Sequence, residues 1–388
     1  MSERQLKAWQ DAGLIDADTA ERIRAWELTH SRPVGLWAIV GLGALTIGLG
    51  IISVVAANWD AIPGETRLAI HFALMIGFAG LLWWYLPRAA PKNHYFSDGL
   101  LFVAAVLGLA FFGHVGQVYQ TSSPLWQPLL AWLVIFSPLL LLFGRGWPIA
   151  GLWLAAVVGT AWSHADEYGL AWAWGQHAPQ PAFPTLYWGL IVCPPMVVAA
   201  FAAFMRGRSD RPAFWRLLEQ LAISVILAGI SIAIIAGGWG SRTHAALGSI
   251  AIQSLALIGA AAIIFRVTPT RSGTATAGIL AAGALLHLAQ ALLVDLHGPI
   301  RSPWIGASFF VMLWGAVAAA AIFAQWRRLF QGAIALVALR IIILSFELND
   351  SLLESGAGLI FSGAFAIAVA WSTVRISKRY APAGGMAA

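Results

Sequence analysis

Polar and apolar positions in this 388-residue chain fall into long blocks rather than fine alternation. A polar, charged opening of 33 residues gives way to apolar runs, each about twenty residues long, that recur along the rest of the chain. A run of that length crosses the hydrocarbon core as a helix. Backbone groups in hydrocarbon must bond one another, which a single helix achieves by itself. A transmembrane barrel would instead alternate polar and apolar residues. The pattern therefore predicts an all-α polytopic transmembrane helix bundle of twelve spans. These run over 34–57, 67–86, 98–119, 125–143, 147–163, 184–205, 214–238, 244–265, 273–294, 304–325, 329–347 and 355–375. The narrowest break is Gly144-Arg145-Gly146, between the fourth and fifth.

Ahead of the spans, residues 3–12 and 17–29 have the pattern of two short amphipathic helices. Ser2 and Asp16 suit N-caps, and Gly13 suits a stop. Leu6, Trp9, Leu14, Ile15, Ile23 and Trp26 are expected to pack as a small hairpin. The opening lacks the apolar core of a signal peptide. The division expected is a cytoplasmic hairpin at 1–33, a first membrane half at 34–205 and a second at 206–388 with a short cytoplasmic tail.

Composition agrees with lipid as the main solvent: 60% of residues are hydrophobic and only 10% charged, against about 25% charged in a soluble domain. The net charge of +6 does not point to nucleic acid, because the basic residues sit in short loops. With the N-terminus inside, only Arg67, Arg242, Arg301 and Arg340 of the 23 Lys and Arg fall on the outer side. That is the bias of a protein inserted in an inner (plasma) membrane with both termini cytoplasmic. Trp59, Trp126, Trp162, Trp172, Trp174, Trp239 and Trp304 fall near expected outer boundaries, where amphipathic rings settle. The single cysteine, Cys193, excludes an internal disulfide framework and reads as a small core residue.

The halves echo one another. IISVVAANW ends the first span at Trp59, and IAIIAGGW ends the seventh at Trp239. His114-Val-Gly-Gln117 in the third span matches His287-Leu-Ala-Gln290 in the ninth. Ser123-Pro124-Leu-Trp126 matches Ser302-Pro303-Trp304. The offsets are 239−59=180, 287−114=173 and 304−126=178. Duplication of a six-helix unit accounts for them, and an even number of spans gives both copies the same orientation, with a site expected between them.

Three stretches carry a family resemblance. They are the hairpin LKAWQDAGLIDADTAERIRAW at 6–26, GLGALTIGLGIISVVAANWDAIPGETRLAI at 41–70 and FFGHVGQVYQTSSPLW at 111–126. They resemble the bacterial membrane proteins catalogued as domain of unknown function 2157. The tail at 338–379 is similar to the end of that family's longer members. The resemblance is most specific over 1–160 and the tail. It implies a polytopic bacterial inner-membrane protein with a short cytoplasmic N-terminal domain, and it does not settle function.

Polar groups inside spans are costly and so are functional candidates. His114 and Gln117 share a helix face, with Tyr119 and Gln120 a turn on. His287, Gln290 and Asp295 form a second strip. Both strips lie toward the outer side, suited to a polar ligand or a proton relay because imidazole titrates near neutrality. The plainer reading is interhelical hydrogen bonding. Arg340 sits deep in the eleventh span, at a cost of about 2.5–3.5 kcal/mol if unpaired. Glu347, two turns outward on the same face, and Asp295 are its candidate partners. Such a pair either contacts an anion or headgroup or locks the bundle. Asn58, Trp59, Asp60 and Arg67 mark the first outer turn, a structural feature. Glu219 suits a local pair with Arg216.

The chain lacks a Walker A loop, GxSxG, HExxH and CxxC, so no catalytic residue, metal site or cofactor is expected. Its partners are the lipid bilayer, a small solute or lipid, and a protein at residues 1–33. The first expectation is a secondary transporter or flippase-like protein with a polar site toward the outer side. A non-transporting scaffold or sensor that uses its hairpin is the alternative. A membrane-embedded enzyme on a lipid-linked substrate is the third, and it needs Asp295, Glu347 and His287 to converge.

Overall fold

A computed structural model of the protein describes residues 6, 9–30, 42, 46, 50, 53, 62–88, 94–121, 123–168, 181–238, 247–297, 303–347 and 356–382. Most of the first expected span and the turn residues Asn58, Trp59 and Asp60 lie outside these. The chain divides into two compact units, Met1–Arg67 and Leu68–Ala388.

In the first unit, Gly13 takes a φ of +67°, a conformation open to glycine without strain. Its N–H donates to the Gln10 carbonyl, and that of Leu14 to the Trp9 carbonyl, which closes the first helical stretch. Helix α1 (Ala17–His30) follows, capped by Asp16, whose Oδ1 accepts the Thr19 N–H at 2.8 Å. That bond holds the Asp16 carboxyl below the usual carboxylate range. The expected packing of the hairpin is corrected here. Leu6 and Ala20 are buried, whereas Trp9, Leu14 and Trp26 are exposed. Two short helices cannot enclose six large apolar side chains, since each offers only one stripe. At the end of this unit the Arg67 Nε–H donates to the Ile62 carbonyl at 2.8 Å, which secures the turn before the next span.

The described residues of the second unit are mostly helical. They are α2 (Gly64–Tyr85, begun in the first unit), α3 (His94–Tyr119), α4 (Trp126–Phe143), α5 (Trp147–Asp166), α6 (Pro184–Leu190) and α7 (Pro194–Arg206). Then come α8 (Pro212–Gly238), α9 (Leu247–Val267), α10 (Arg271–His297), α11 (Pro303–Phe323), α12 (Arg327–Glu347) and α13 (Gly356–Tyr380). Among the described residues, eight helices are long and apolar enough to cross a membrane, or nine if the bent α6–α7 pair is one span.

Proline punctuates many of the starts. It stands at the first or second position of α5, α6 and α7 and opens α8 and α11, where its fixed φ suits a helix and its missing N–H costs nothing. The same residue corrects the sixth expected span. Residues 184–205 are not one straight helix. They break at 191–193 and bend by 43°, because Pro194 and Pro195 supply no N–H to the preceding turn. Cys193 is buried at this bend, its thiol against the Gly189 carbonyl.

Packing follows side-chain size. The buried face of α7 carries Ala199, Ala202 and Ala203, which let α8 and α9 approach closely. Around them Phe214, Leu218, Ile234, Leu257, Ile264, Leu280 and Leu313 are almost fully enclosed. The outer surface of the bundle is apolar as well: Phe72, Ile76, Trp83, Val134, Ile232, Leu255 and Leu285 are all exposed. A soluble protein rarely leaves so continuous an apolar exterior. Lipid contact accounts for it.

Polar contacts tie loops together at each end of the bundle. At one end Arg211 donates to the carbonyls of Leu141, at 2.5 Å, and Gly144. It thereby caps α4 with a cation, as the helix dipole favours. Burial holds the Arg211 guanidinium below its ordinary pKa, with Arg145 adding to the effect and Asp98 opposing it. Asp98, also buried, accepts the Arg145 N–H at 3.0 Å. Arg206 forms an ion pair with Glu219 at 2.6 Å and donates to Thr268 Oγ1 at 2.5 Å. Glu219 is therefore held by Arg206 rather than by Arg216. One turn along the same helix lies nearer in sequence, but the end of α7 lies nearer in space. At the other end, Trp126 donates to Glu167 at 2.8 Å, and His164 and Tyr187 are bonded at 2.7 Å.

Candidate functional site

Three buried polar arrangements lie inside the bundle. The first joins α2 to α3. His71 Nδ1 and His114 Nδ1 are 2.7 Å apart, and His71 Nε2 is 2.9 Å from the Leu107 carbonyl oxygen. The imidazole rings stand nearly perpendicular at 85°, and Phe111 packs against the edge of His71. His71 is buried, while His114 is half-buried.

These distances set the protons. A carbonyl oxygen only accepts, so His71 Nε2 carries hydrogen. Neutral His71 then has a bare Nδ1, and His114 Nδ1–H must donate to it. A proton added to the pair leaves one hydrogen between the two Nδ1 atoms, on either ring. A second added proton would set two N–H groups against each other at 2.7 Å. The contact thus has room for one hydrogen and not for two.

The second arrangement links α6, α8, α9 and α10. His287 Nε2 lies 3.2 Å from Gln253 Oε1, and Gln253 Nε2 donates to the Trp188 carbonyl at 3.0 Å. Buried Gln290 donates to the Ile234 carbonyl at 2.8 Å. An amide oxygen accepts, so His287 Nε2 is the donor here. The imidazole faces an amide, which neither gives nor takes a proton near neutrality.

In the third arrangement, Arg340 Nη1 meets Glu347 Oε1 at 2.6 Å along α12. Arg340 is only 3% exposed. The side chain of Asp295, in α10, is outside the described residues, so Glu347 is the partner the structure assigns.

The sequence strips are partly divided by this geometry. His114 turns to His71, whereas Gln117, Tyr119 and Gln120 are exposed. Gln120 has a φ of +50° just past the end of α3, so it leaves the helix face altogether. His287 and Gln290 share a helix but serve different neighbours. His71 and Gln253 complete the two histidine sites, yet neither belongs to a repeated motif. The available signal for His71 was its place as an ionisable residue in an apolar run.

At the ends of the spans, the Trp126 indole packs edge-on to His164, with ring centres 4.8 Å apart, and the Tyr187 hydroxyl donates to the His164 carbonyl. This leaves His164 Nδ1–H to donate to the phenol oxygen, a closed network suited to anchoring helix ends. Among the described residues, no three His, Cys, Asp or Glu side chains converge as metal ligands.

The hairpin, α2, the His71–His114 pair and α4 lie in one contiguous stretch. Residues 7–149 match the family model described as predicted membrane protein (DUF2157). The resemblance read from 6–26, 41–70 and 111–126 is thereby shown for that stretch. His71 and His114 both fall inside the matched residues, and His287 and Arg340 fall beyond them. No curated protein and no solved structure matches the chain.

Proposed function

We propose that this chain is a proton-linked secondary transporter, or flippase-like protein, of the inner membrane. It has twelve spans, both termini cytoplasmic and a polar site toward the outer side. The observation that carries the reading is the His71–His114 contact: two ionisable rings, one buried, meet Nδ1 to Nδ1 at 2.7 Å within apolar helices. Intramembrane histidines held this way suit proton relays.

Duplication of a six-helix unit in parallel orientation belongs to the same reading. His114 of the third expected span meets His71 of the second, and His287 of the ninth meets Gln253 of the eighth. The offset between these partners is 253−71=182, beside 287−114=173 for the histidines. Equivalent contacts in equivalent places fit duplication, with a histidine partner kept in only one copy. Helices α5 and α13 and residues 34–57 complete the twelve spans. No catalytic residue is assigned.

The test is reconstitution of the full chain in proteoliposomes with a pH-sensitive dye inside and a metabolite extract outside. An imposed proton gradient should drive accumulation of a solute, or movement of a lipid, in step with proton flux. H71Q and H114Q should abolish the coupling while the protein remains folded. Wild-type protein that moves neither protons, solute nor lipid would overturn the proposal.

A second reading rests on a separate observation, the exposed Trp9, Leu14 and Trp26 of the hairpin. They suit a protein partner for a scaffold or sensor. Deleting residues 1–30 should then remove a co-purifying protein; a silent deletion ends that reading.

A further inference from the structure

The buried ion pair on α12 has open valences on both sides. Arg340 uses Nη1 on Glu347 Oε1, yet its Nε and Nη2 are buried without a hydrogen-bond partner among the described residues. Glu347 Oε2 is likewise buried and has no hydrogen-bond partner among the described residues. Buried polar atoms are nearly always satisfied, so each such exception calls for an explanation. Here three exceptions sit on one charge pair.

Their chemistry is specific. Nε–H and Nη2–H form a parallel fork that matches two oxygens of an oxyanion. The carboxylate Oε2 accepts and so matches a donor, best a cationic one. The pair itself is neutral. A bare anion on the fork would bury a net charge, which a low-dielectric site disfavours. A zwitterion whose oxyanion is singly charged satisfies fork and carboxylate together and keeps the site neutral. The guanidinium separates the two edges, so a two-carbon spacer between oxyanion and ammonium suits it better than the single carbon of an α-amino acid.

We propose that Arg340 and Glu347 form a binding site for a phosphoethanolamine group, carried by a lipid headgroup or as the free compound. The phosphate sits on Nε and Nη2 of Arg340, and the ammonium on Oε2 of Glu347. Arg340 lies seven residues from the end of α12, about 10 Å along the axis, a depth that a headgroup drawn in from the nearer surface can reach. The atoms are enclosed in this conformation, so entry requires helix α12 and its neighbours to part.

The full-length protein in nanodiscs tests this by calorimetric titration at a pH of about 5, where the phosphate of free phosphoethanolamine carries a single charge, with phosphoethanolamine, inorganic phosphate, ethanolamine and glycine. Mass spectrometry of the lipid retained from nanodiscs with equal phosphatidylethanolamine and phosphatidylglycerol forms the second arm. The expected result is at least tenfold preference for phosphoethanolamine over the other three solutes, selective retention of phosphatidylethanolamine, or both. Solute binding alone assigns the free compound as the source, and lipid retention alone assigns the headgroup. E347Q should reverse the preference toward inorganic phosphate, because the site then carries a net positive charge. R340K should weaken binding at least tenfold, because an ammonium cannot present the fork. Wild type that binds phosphate as tightly as phosphoethanolamine, or that binds neither phosphoethanolamine nor phosphatidylethanolamine, overturns the proposal. So does a preference that survives both substitutions. If R340K does not fold, the wild-type competition decides. None of these readouts needs transport, so failure here leaves the proton-linked reading standing, and the reverse.

Discussion

The Arg206–Glu219–Thr268 cluster can be tested because sequence distance and spatial distance name different partners for Glu219. Its side chain is 4% exposed, that of Arg206 17%, and the two meet at 2.6 Å. Removing one partner of a buried pair leaves the other charged and unpaired, at a cost of about 3–5 kcal/mol. R206A strands the more deeply buried carboxylate and belongs at the upper end of that range. E219A leaves Arg206 with Thr268 Oγ1 and some solvent, and should cost about 2–3 kcal/mol. T268A removes one hydrogen bond, about 1 kcal/mol. R216A, which alters the neighbour one turn away, should stay within about 0.5 kcal/mol. The double variant R206A/E219A should fall short of the summed single costs by about 1–3 kcal/mol, the coupling of residues in contact. The assay is unfolding of the purified chain in mixed micelles with increasing dodecyl sulfate, read by tryptophan fluorescence. A cost of 3 kcal/mol moves the unfolding equilibrium roughly a hundredfold. If R216A costs as much as R206A, or if the double variant is strictly additive, Arg206 is not the partner.

Three other outcomes are expected. A Cβ on Gly108 would lie among the ring atoms of Phe136, so G108A should destabilise by about 1–3 kcal/mol through overpacking, and F136L should restore most of it, both read in the same unfolding assay. The depressed Asp16 carboxyl stabilises α1 fully above the unfolded-state carboxylate pKa, and this contribution is lost as pH falls through the lower folded value. Hydrogen exchange at the Thr19 amide should therefore quicken as pH drops below about 4 relative to the same amide in D16A, after correction for intrinsic rates. In a C193A background, S209C should react with an impermeant maleimide only from the cytoplasmic side of membrane vesicles and S123C only from the other. Reaction of both from one face would break the twelve-span topology.

Much of the fold was legible in the chain because its signals are local. The helix expected at 125–143 is observed at Trp126–Phe143, and that expected at 329–347 at Arg327–Glu347. Apolar length, glycine turns and proline starts act within a few residues, so they can be read without knowing the neighbours. The break before Pro194 was written in the same residues, but proline at mid-membrane is compatible with either a kink or a continuous helix. Only the packed α7 with its alanine face resolved the choice.

The candidate sites divide in the same way. His114, His287 and Arg340 declared themselves by being polar in apolar runs, and Glu347 was reachable as Arg340's partner because both lie on one helix at fixed spacing. Sequence alone thus determined a helical membrane protein, where most of its helices begin and end, and which polar groups inside them demand partners. The tertiary structure alone decided most of the partners. It set His71 rather than Gln117 beside His114, and Gln253 against His287. It also gave Glu219 to Arg206. Helix register is a local property, but contact between helices depends on how separate cylinders rotate and approach. That is settled by side chains far apart in the chain.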